Sequence, residues 1–330
     1  MKKARGFPFF IAARRQERDK QFMENKRPVQ EERAAFIAIV GRPNVGKSSI
    51  LNRILGEKVA IVSPKPQTTR TRIMGVYTKE ADQIAFLDTP GLLRARNQLG
   101  QYMVKSVLSS VSGVDACLLV AQAGCKISPA DEELMEKFRQ EGLPAVLALN
   151  KIDKLTDKTK MMEQISAYAQ KFPFAAVVPV SARDGSGMDE LIEELTKLCQ
   201  PGGHLFPDDT LTDQPERVLA AELVREKLLR LLDKEIPHGV AVVTEHMEET
   251  DSGLIEISCV IFTEKDSHKG IIIGKGGAML KKVGTLARRD MEAFFGTKVH
   301  LNLWVRVKED WRNRRDILHT FGFDEKDFDL

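Results

Sequence analysis

A chain of 330 residues is long for a single hydrophobic core, so two domains are expected. With 42% hydrophobic and 29% charged residues it has the composition of a globular protein, and no apolar run reaches the ~20 residues of a membrane helix. The net charge of +3 conceals an asymmetry: from Lys265 to Arg315 thirteen Lys and Arg stand against five acids, and from Asp316 to Leu330 five acids stand against Lys326. A basic field that local is the footprint of a phosphate-backbone partner. Cys117, Cys125, Cys199 and Cys259 form no C-x-x-C pair and have no histidine at metal-ligand spacing, the pattern of reduced thiols in a cytoplasmic protein.

From the start of the chain, Phe7-Pro8-Phe9-Phe10-Ile11 behind Met1-Lys2-Lys3 imitates a signal peptide. The run is too short and passes at once into Arg14-Arg15-Gln16-Glu17-Arg18. Residues 1–33 are predicted to be a disordered basic arm, either a solvated tail or an auxiliary contact to RNA or a membrane surface. Next, residues 36–40 read as a buried strand and 49–55, opened by Ser49, as a helix. Between them Gly41-Arg42-Pro43-Asn44-Val45-Gly46-Lys47-Ser48 matches G-x-x-x-x-G-K-[ST] in the strand–loop–helix context that motif needs. Glycines let backbone N–H groups close on phosphate oxygens, Lys47 places a cation on the β- and γ-phosphates, and the Ser48 hydroxyl suits magnesium. The chain is expected to bind a nucleoside triphosphate.

Further strands are predicted at 73–78, 84–88, 115–121, 145–150 and 176–180, and helices at 131–140, 160–172 and 188–198. This alternation describes an α/β domain with a mostly parallel sheet over residues 34–200. Asp88-Thr89-Pro90-Gly91 ends one strand; Asp88 would hold the metal through water and the Gly91 N–H would sense the γ-phosphate. Within Gln67-Thr68-Thr69-Arg70 one threonine should reach magnesium in the triphosphate state; Thr69 is preferred to Thr68, and the choice stays open. Asn150-Lys151-Ile152-Asp153 ends another strand. The Asp153 carboxylate can accept both N1–H and N2–H of guanine, donors that adenine lacks, so the nucleotide is expected to be GTP or GDP. Asn150 would tie this loop to the P-loop, Lys151 would lie along the base, and Ser181-Ala182-Arg183 would close the pocket with the Ala182 N–H on guanine O6.

A turn-rich connector over 201–215 leads to a second domain over 216–315. Its predicted order is a helix at 216–236, strands at 240–247 and 254–262, a short helix near 265–273, Gly274-Lys275-Gly276-Gly277, a helix at 278–295 and a strand at 298–307. Glycines between two helices let a nucleic-acid backbone approach, with Lys275, Lys281, Lys282 and Arg288 adding charge. Ile257, Val260, Ile261 and Val299 are expected in the core, Trp304 is expected to pack, and residues 316–330 form an acidic tail. The order matches a type II KH domain, an α+β fold.

On the set GRPNVGKS, QTTR, DTPG, NKID and SAR, with GKGG downstream, residues 34–315 resemble the Era family, bacterial GTPases with a C-terminal KH domain. Ser-Ala-Arg in place of the more usual Ser-Ala-Lys is a mild departure, and the arm and tail lie outside the family core. The resemblance implies a monomeric GTPase switch that binds 16S rRNA near its 3′ end and assists assembly of the small ribosomal subunit. It implies a cytoplasmic location with peripheral contact to the inner membrane. The alternative is a switch acting through protein partners or that membrane surface. Leu92 stands where many GTPases place the glutamine that orients water. In relatives with a hydrophobic residue there, an asparagine at the place of Asn44 helps bind K+, so Lys47, Asn44, Thr69 and Gly91 are the expected catalytic set. A turn-forming role for Asn44 is the alternative.

Overall fold

The computed structural model describes residues 31–92 and 95–323. Six strands of the first domain form one sheet in the order β2-β3-β1-β4-β5-β6: β1 (Arg33–Val40), β2 (Ile73–Lys79), β3 (Asp82–Asp88), β4 (Ala116–Gln122), β5 (Ala145–Asn150) and β6 (Ala176–Val180). All neighbours run parallel except β2 against β3. The central strands are apolar throughout because both faces are covered. On one face α1 (Lys47–Leu55) and α5 (Met188–Thr196) bury Ile50, Leu51, Leu191 and Leu195. On the other, α2 (Gln98–Val111), α3 (Pro129–Glu141) and α4 (Lys158–Lys171) bury Val107, Leu134, Phe138 and Tyr168. The parallel strands point their C-terminal ends, and so the loops after β1, β3 and β5, toward one edge, where α/β sheets bind ligands.

In the second domain α6 (Glu216–Leu231), β8 (Ala241–Glu249), β9 (Ile255–Thr263), α7 (Asp266–Ile273), α8 (Ala278–Phe295) and β10 (Val299–Val307) follow the predicted order. The sheet runs β10-β9-β8, with β10 parallel and β8 antiparallel to β9. Ile257, Val260, Ile261 and Val299 are buried as expected. Trp304 is not: it is 60% exposed, because odd-numbered residues of β10 face the helices and even-numbered ones the open side.

Several boundaries differ from the sequence reading. The strand β1 begins at Arg33, held by an ion pair of 2.6 Å to Asp82, so the arm stops short of 33; residues 1–30 lie outside the described residues. The connector is strapped to the first domain rather than free. A short strand β7 (Gln200–Pro201) pairs with β1, Phe206 exchanges two 2.9 Å hydrogen bonds with the Gln83 side chain, and Thr212 Oγ1 donates to Met74 O at 2.6 Å. Helix α6 ends at Leu231 because Leu232 turns extended and Lys234 takes a left-handed φ of 55°. Two helices were not predicted: α2, and α9 (Arg315–Thr320) inside the expected acidic tail. Ile317 and Leu318 of α9 are buried against Trp311 and against Leu99, Tyr102 and Met103 of α2, so the expected tail is packed as far as these residues; 324–330 lie outside the described residues.

Candidate functional site

The loop after β1 has a backbone that only its own residues can adopt. Gly41 has φ 143°, and a Cβ there would lie 2.3 Å from Val120 O; Gly46 has φ 105°, and its Cβ would meet Asn150 Nδ2 at 2.2 Å. Asn44 is left-handed at φ 63°, a conformation asparagine tolerates better than most residues. Lys47 is 7% exposed and donates to Gly41 O at 3.2 Å and Arg42 O at 3.1 Å. Burial lowers its pKa to about 8, with the Asp88 carboxylate pulling the other way.

Three oxygens from separate segments, the start of α1, the end of β3 and the loop before β2, converge beside it. Ser48 Oγ donates to Asp88 Oδ2 at 2.5 Å and lies 2.8 Å from Thr69 Oγ1. Asp88 is fully buried; desolvation raises its pKa to about 6 against the pull of Lys47 and Ser48. Its Oδ1 is buried with no hydrogen-bond partner among the described residues. A hydroxyl pair plus a carboxylate with a spare oxygen fits Mg2+, which keeps several waters and takes few protein ligands. Thr68 points elsewhere: its hydroxyl lies 2.8 Å from Ser63 Oγ and donates to Lys65 O at 2.6 Å. Thr69 is therefore the member of the pair that meets Ser48.

The segment after β3 packs on the P-loop. Thr89 Oγ1 donates to Ile39 O at 2.9 Å, Leu92 N donates to Gly41 O at 3.2 Å, and Pro90 and Leu92 are buried. A Cβ on Gly91 would come within 2.5 Å of Pro43 N, so glycine is required for this approach.

On the base side Asn150 Nδ2 donates to Val45 O at 2.8 Å, the tie expected between the two loops, and its Oδ1 accepts from Lys151 N at 2.8 Å and Ala182 N at 3.1 Å. Asp153 accepts from Ser181 Oγ at 3.1 Å, with its side chain 12% exposed, while Arg183 is 3.6 Å away and largely in solvent. Lys151 (φ 67°) reaches Gln122 Oε1 at 3.1 Å and the Asn44 carbonyl; burial, then Lys154, lowers its pKa. A cavity of about 530 Å³ joins Pro43, Lys47, Ser48 with Ser49, Thr69 and Lys151. Asp153, Ser181, Ala182 and Arg183 do not line it; they stand next to it through Asn150.

Residues the sequence reading missed belong to the second domain. Arg230 of α6 lines the same cavity and donates to Val62 O at 2.8 Å; Glu226 Oε1 accepts from Val62 N at 3.0 Å. Arg225 donates to the Thr68 carbonyl, and Arg70 donates to Val240 O at 2.6 Å and His238 O at 2.9 Å. No local signal marks these pairs, which lie 157 to 170 positions apart.

In the second domain Gly274, Gly276 and Gly277 have φ of 76°, 59° and 78°. Added Cβ atoms at Gly276 and Gly277 would meet nothing within 4 Å, whereas one at Gly274 would lie 2.7 Å from Met279 Cβ. The Gly276–Gly277 backbone is thus open to a ligand, at the N-terminus of the eighteen-residue α8. Lys275, Lys281, Lys282 and Arg288 are all exposed, and Lys281 and Arg288, seven apart, share one stripe of α8. Of the isoleucines before the loop, Ile272 is core and Ile271 is 49% exposed beside it.

Comparison with known proteins matches both halves. The family model described as a 50S ribosome-binding GTPase matches residues 36–151, and that of the KH domain matches residues 235–312. The chain is 47% identical over 295 residues to the GTPase Era of Clostridioides difficile (strain 630), covering 89% of this chain and 99% of the relative. It is 47% identical over 293 residues to the GTPase Era of Alkaliphilus metalliredigens (strain QYMF), covering 88% and 99%. A solved structure of Era in complex with MgGDPNP and nucleotides 1506–1542 of 16S ribosomal RNA superposes with a TM-score of 0.85 at 39% identity, over 88% of this chain and 99% of that one. With likeness of that extent across both domains, the chain belongs to the Era family of GTPases.

Proposed function

We propose that this protein is a GTP-hydrolysing switch that binds small-subunit (16S) rRNA near its 3′ end through the KH domain and assists small-subunit assembly. The observation that carries the reading is the meeting of Ser48, Thr69 and Asp88 oxygens beside Lys47 in one domain, joined to an open Gly276–Gly277 backbone in the other. The solved Era complex holding both MgGDPNP and 16S rRNA supports it. The G-domain family's description names the large subunit, but that family match ends at residue 151, before the RNA-binding half begins.

In this mechanism Lys47 and the P-loop N–H groups hold the β- and γ-phosphates, and Asp153 selects guanine. Ser48, Thr69 and Asp88 hold Mg2+, which neutralises charge developing on the phosphates. Thr69, through the magnesium, and Gly91, through its backbone N–H, report whether the γ-phosphate is present. Leu92 has no group to orient water, which predicts slow intrinsic turnover. Asn44 lines the cavity and its Nδ2 donates to the Pro64 carbonyl at 2.9 Å, which leaves the amide oxygen of Asn44 as a ligand for K+. Turnover is expected to rise on the order of tenfold in KCl over NaCl, an electrostatic effect on the transition state. Asn44→Ala should abolish the difference; equal wild-type rates in the two salts would remove K+ from the mechanism.

The RNA half is tested by Gly276→Asp against Gly276→Asn: both carry the same left-handed strain at φ 59° with nothing within 4 Å of the added Cβ, and only the aspartate repels an approaching phosphate. The expected result is at least a tenfold loss of affinity for a 16S 3′-end fragment at fixed salt, with GTP turnover in the absence of RNA unchanged. Retained RNA affinity, or binding to anionic vesicles instead, would favour the membrane-surface reading. Among the described residues no helix is long and apolar enough to cross a membrane.

A further inference from the structure

The stretch from Val62 to Arg70, which carries Thr69, is anchored at both ends by the second domain. At its start the Val62 N–H donates to Glu226 Oε1 at 3.0 Å and its carbonyl accepts from Arg230 at 2.8 Å, both on α6. At its end the two neighbours of Thr69 are each fixed. The Thr68 carbonyl accepts from Arg225 of α6, and Arg70 donates to Val240 O at 2.6 Å and His238 O at 2.9 Å. The Arg70 guanidinium also lies 5.7 Å from the centroid of the Trp311 ring, and Trp311 is locked in turn by donating Nε1 to Gly239 O at 2.9 Å. Arg225, Arg70 and Trp311 are 2%, 3% and 0% exposed, so little water competes for these bonds.

Glu222, one turn earlier on α6, aims Arg225: it accepts from Nε at 2.7 Å and from Nη2 at 2.5 Å. A guanidinium paired in this bidentate way is a rigid, preorganised donor. We propose that Arg225, aimed by Glu222 and with Arg70 as the second anchor, positions Thr69 for the magnesium–triphosphate state. The second domain thereby sets the affinity for GTP and leaves that for GDP unchanged. The proposal rests on the reading of Thr69 as a magnesium residue. A loop already held in its competent conformation does not have to be ordered when the triphosphate binds; once released, it lowers the affinity by the fraction that remains competent. GDP offers Thr69 no γ-phosphate to report, so its binding does not draw on that fraction.

Binding of GDP and of a non-hydrolysable GTP analogue to the full chain, with saturating Mg2+, tests this in Arg225→Met combined with Glu222→Gln. That pair removes the donor without leaving a part-buried carboxylate unmatched. The analogue is expected to bind roughly tenfold more weakly, and GDP within about twofold of wild type. Amide exchange at 67–70 in the nucleotide-free protein should speed by roughly the same tenfold factor. Thr69→Ala is the control for the underlying reading and should weaken the analogue at least as much. If it does not, the magnesium reading of Thr69 falls and the positioning role falls with it. If Thr69→Ala weakens the analogue and the Arg225 pair does not, the positioning role alone is overturned. Equal weakening of GDP and the analogue also overturns it, because Arg225 would then only support the fold. So does unchanged exchange at 67–70.

Discussion

Asp153→Asn is expected to invert base selection, weakening GDP binding and strengthening XDP binding until their ratio shifts by on the order of a thousandfold. The carboxylate of Asp153 only accepts, and guanine offers it two donors. Asparagine turns an N–H2 toward the guanine 2-amino group, leaving donor against donor. Xanthine carries a carbonyl at that carbon and accepts the same N–H2. The fold should tolerate the change, because Ser181 Oγ, 3.1 Å from Asp153 Oδ1, can donate to the amide oxygen equally well. Competitive calorimetry with GDP and XDP, together with an unfolding curve, separates selection from stability. Undiminished GDP affinity would mean that guanine is read elsewhere.

Both ligand sites were legible in the sequence because their physics is local. A phosphate must be wrapped by consecutive N–H groups, so its residues are consecutive; Gly41, Gly46 and Gly91 sit where a Cβ would strike Val120, Asn150 or Pro43. Helix α2 escaped because Gly100, Ser106, Ser109 and Ser110 dilute an apolar stripe of Leu99, Met103, Val107 and Val111, and its start depends on Asn97 Oδ1 accepting from Gly100 N at 2.8 Å. In α9 the apolar content is only Ile317 and Leu318 among charged neighbours, and its partners on α2 are some two hundred residues away. The connector reads as turns, yet Gln83 hides its amide by bonding the Phe206 backbone. Least legible was the domain junction. Arg225, Glu226 and Lys227 are consecutive and all at most 5% exposed, so they span about 200°, more than half the circumference, of α6. A charge run of this kind ordinarily marks a solvated face; here another domain covers it.

That run underlies the largest expected loss of stability. Glu226 is fully buried; its Oε2 meets Lys58 Nζ at 2.6 Å and Lys227 Nζ at 2.7 Å, and its Oε1 takes Val62 N at 3.0 Å and Arg230 at 3.0 Å. Asp290 of α8 accepts from the same two lysines. Glu226→Ala leaves the buried Lys227 with one carboxylate shared between two cations and strips the Val62 amide of its acceptor, a change worth about 3–5 kcal/mol. Lys58→Ala should cost about 1 kcal/mol, since its side chain is 35% exposed and water can replace it. Burial alone would raise the Glu226 carboxyl, but hydrogen bonds from Lys227 and Lys58 outweigh it and hold the pKa below the ordinary value; Asp290 is lowered against burial in the same way. Groups depressed on folding contribute stability that is full above their unfolded pKa, about 4, and is lost as pH falls through the folded one. Wild type should therefore lose stability steeply below about pH 4, and Glu226→Ala less steeply. The cluster also joins α8, the helix that follows Gly277, to the Lys58–Val62 loop leading to Thr69, so its removal should let the domains unfold separately. In urea, one wild-type transition is expected to become two in Glu226→Ala. A single transition at an unmoved midpoint would show that the two domains never depended on this cluster.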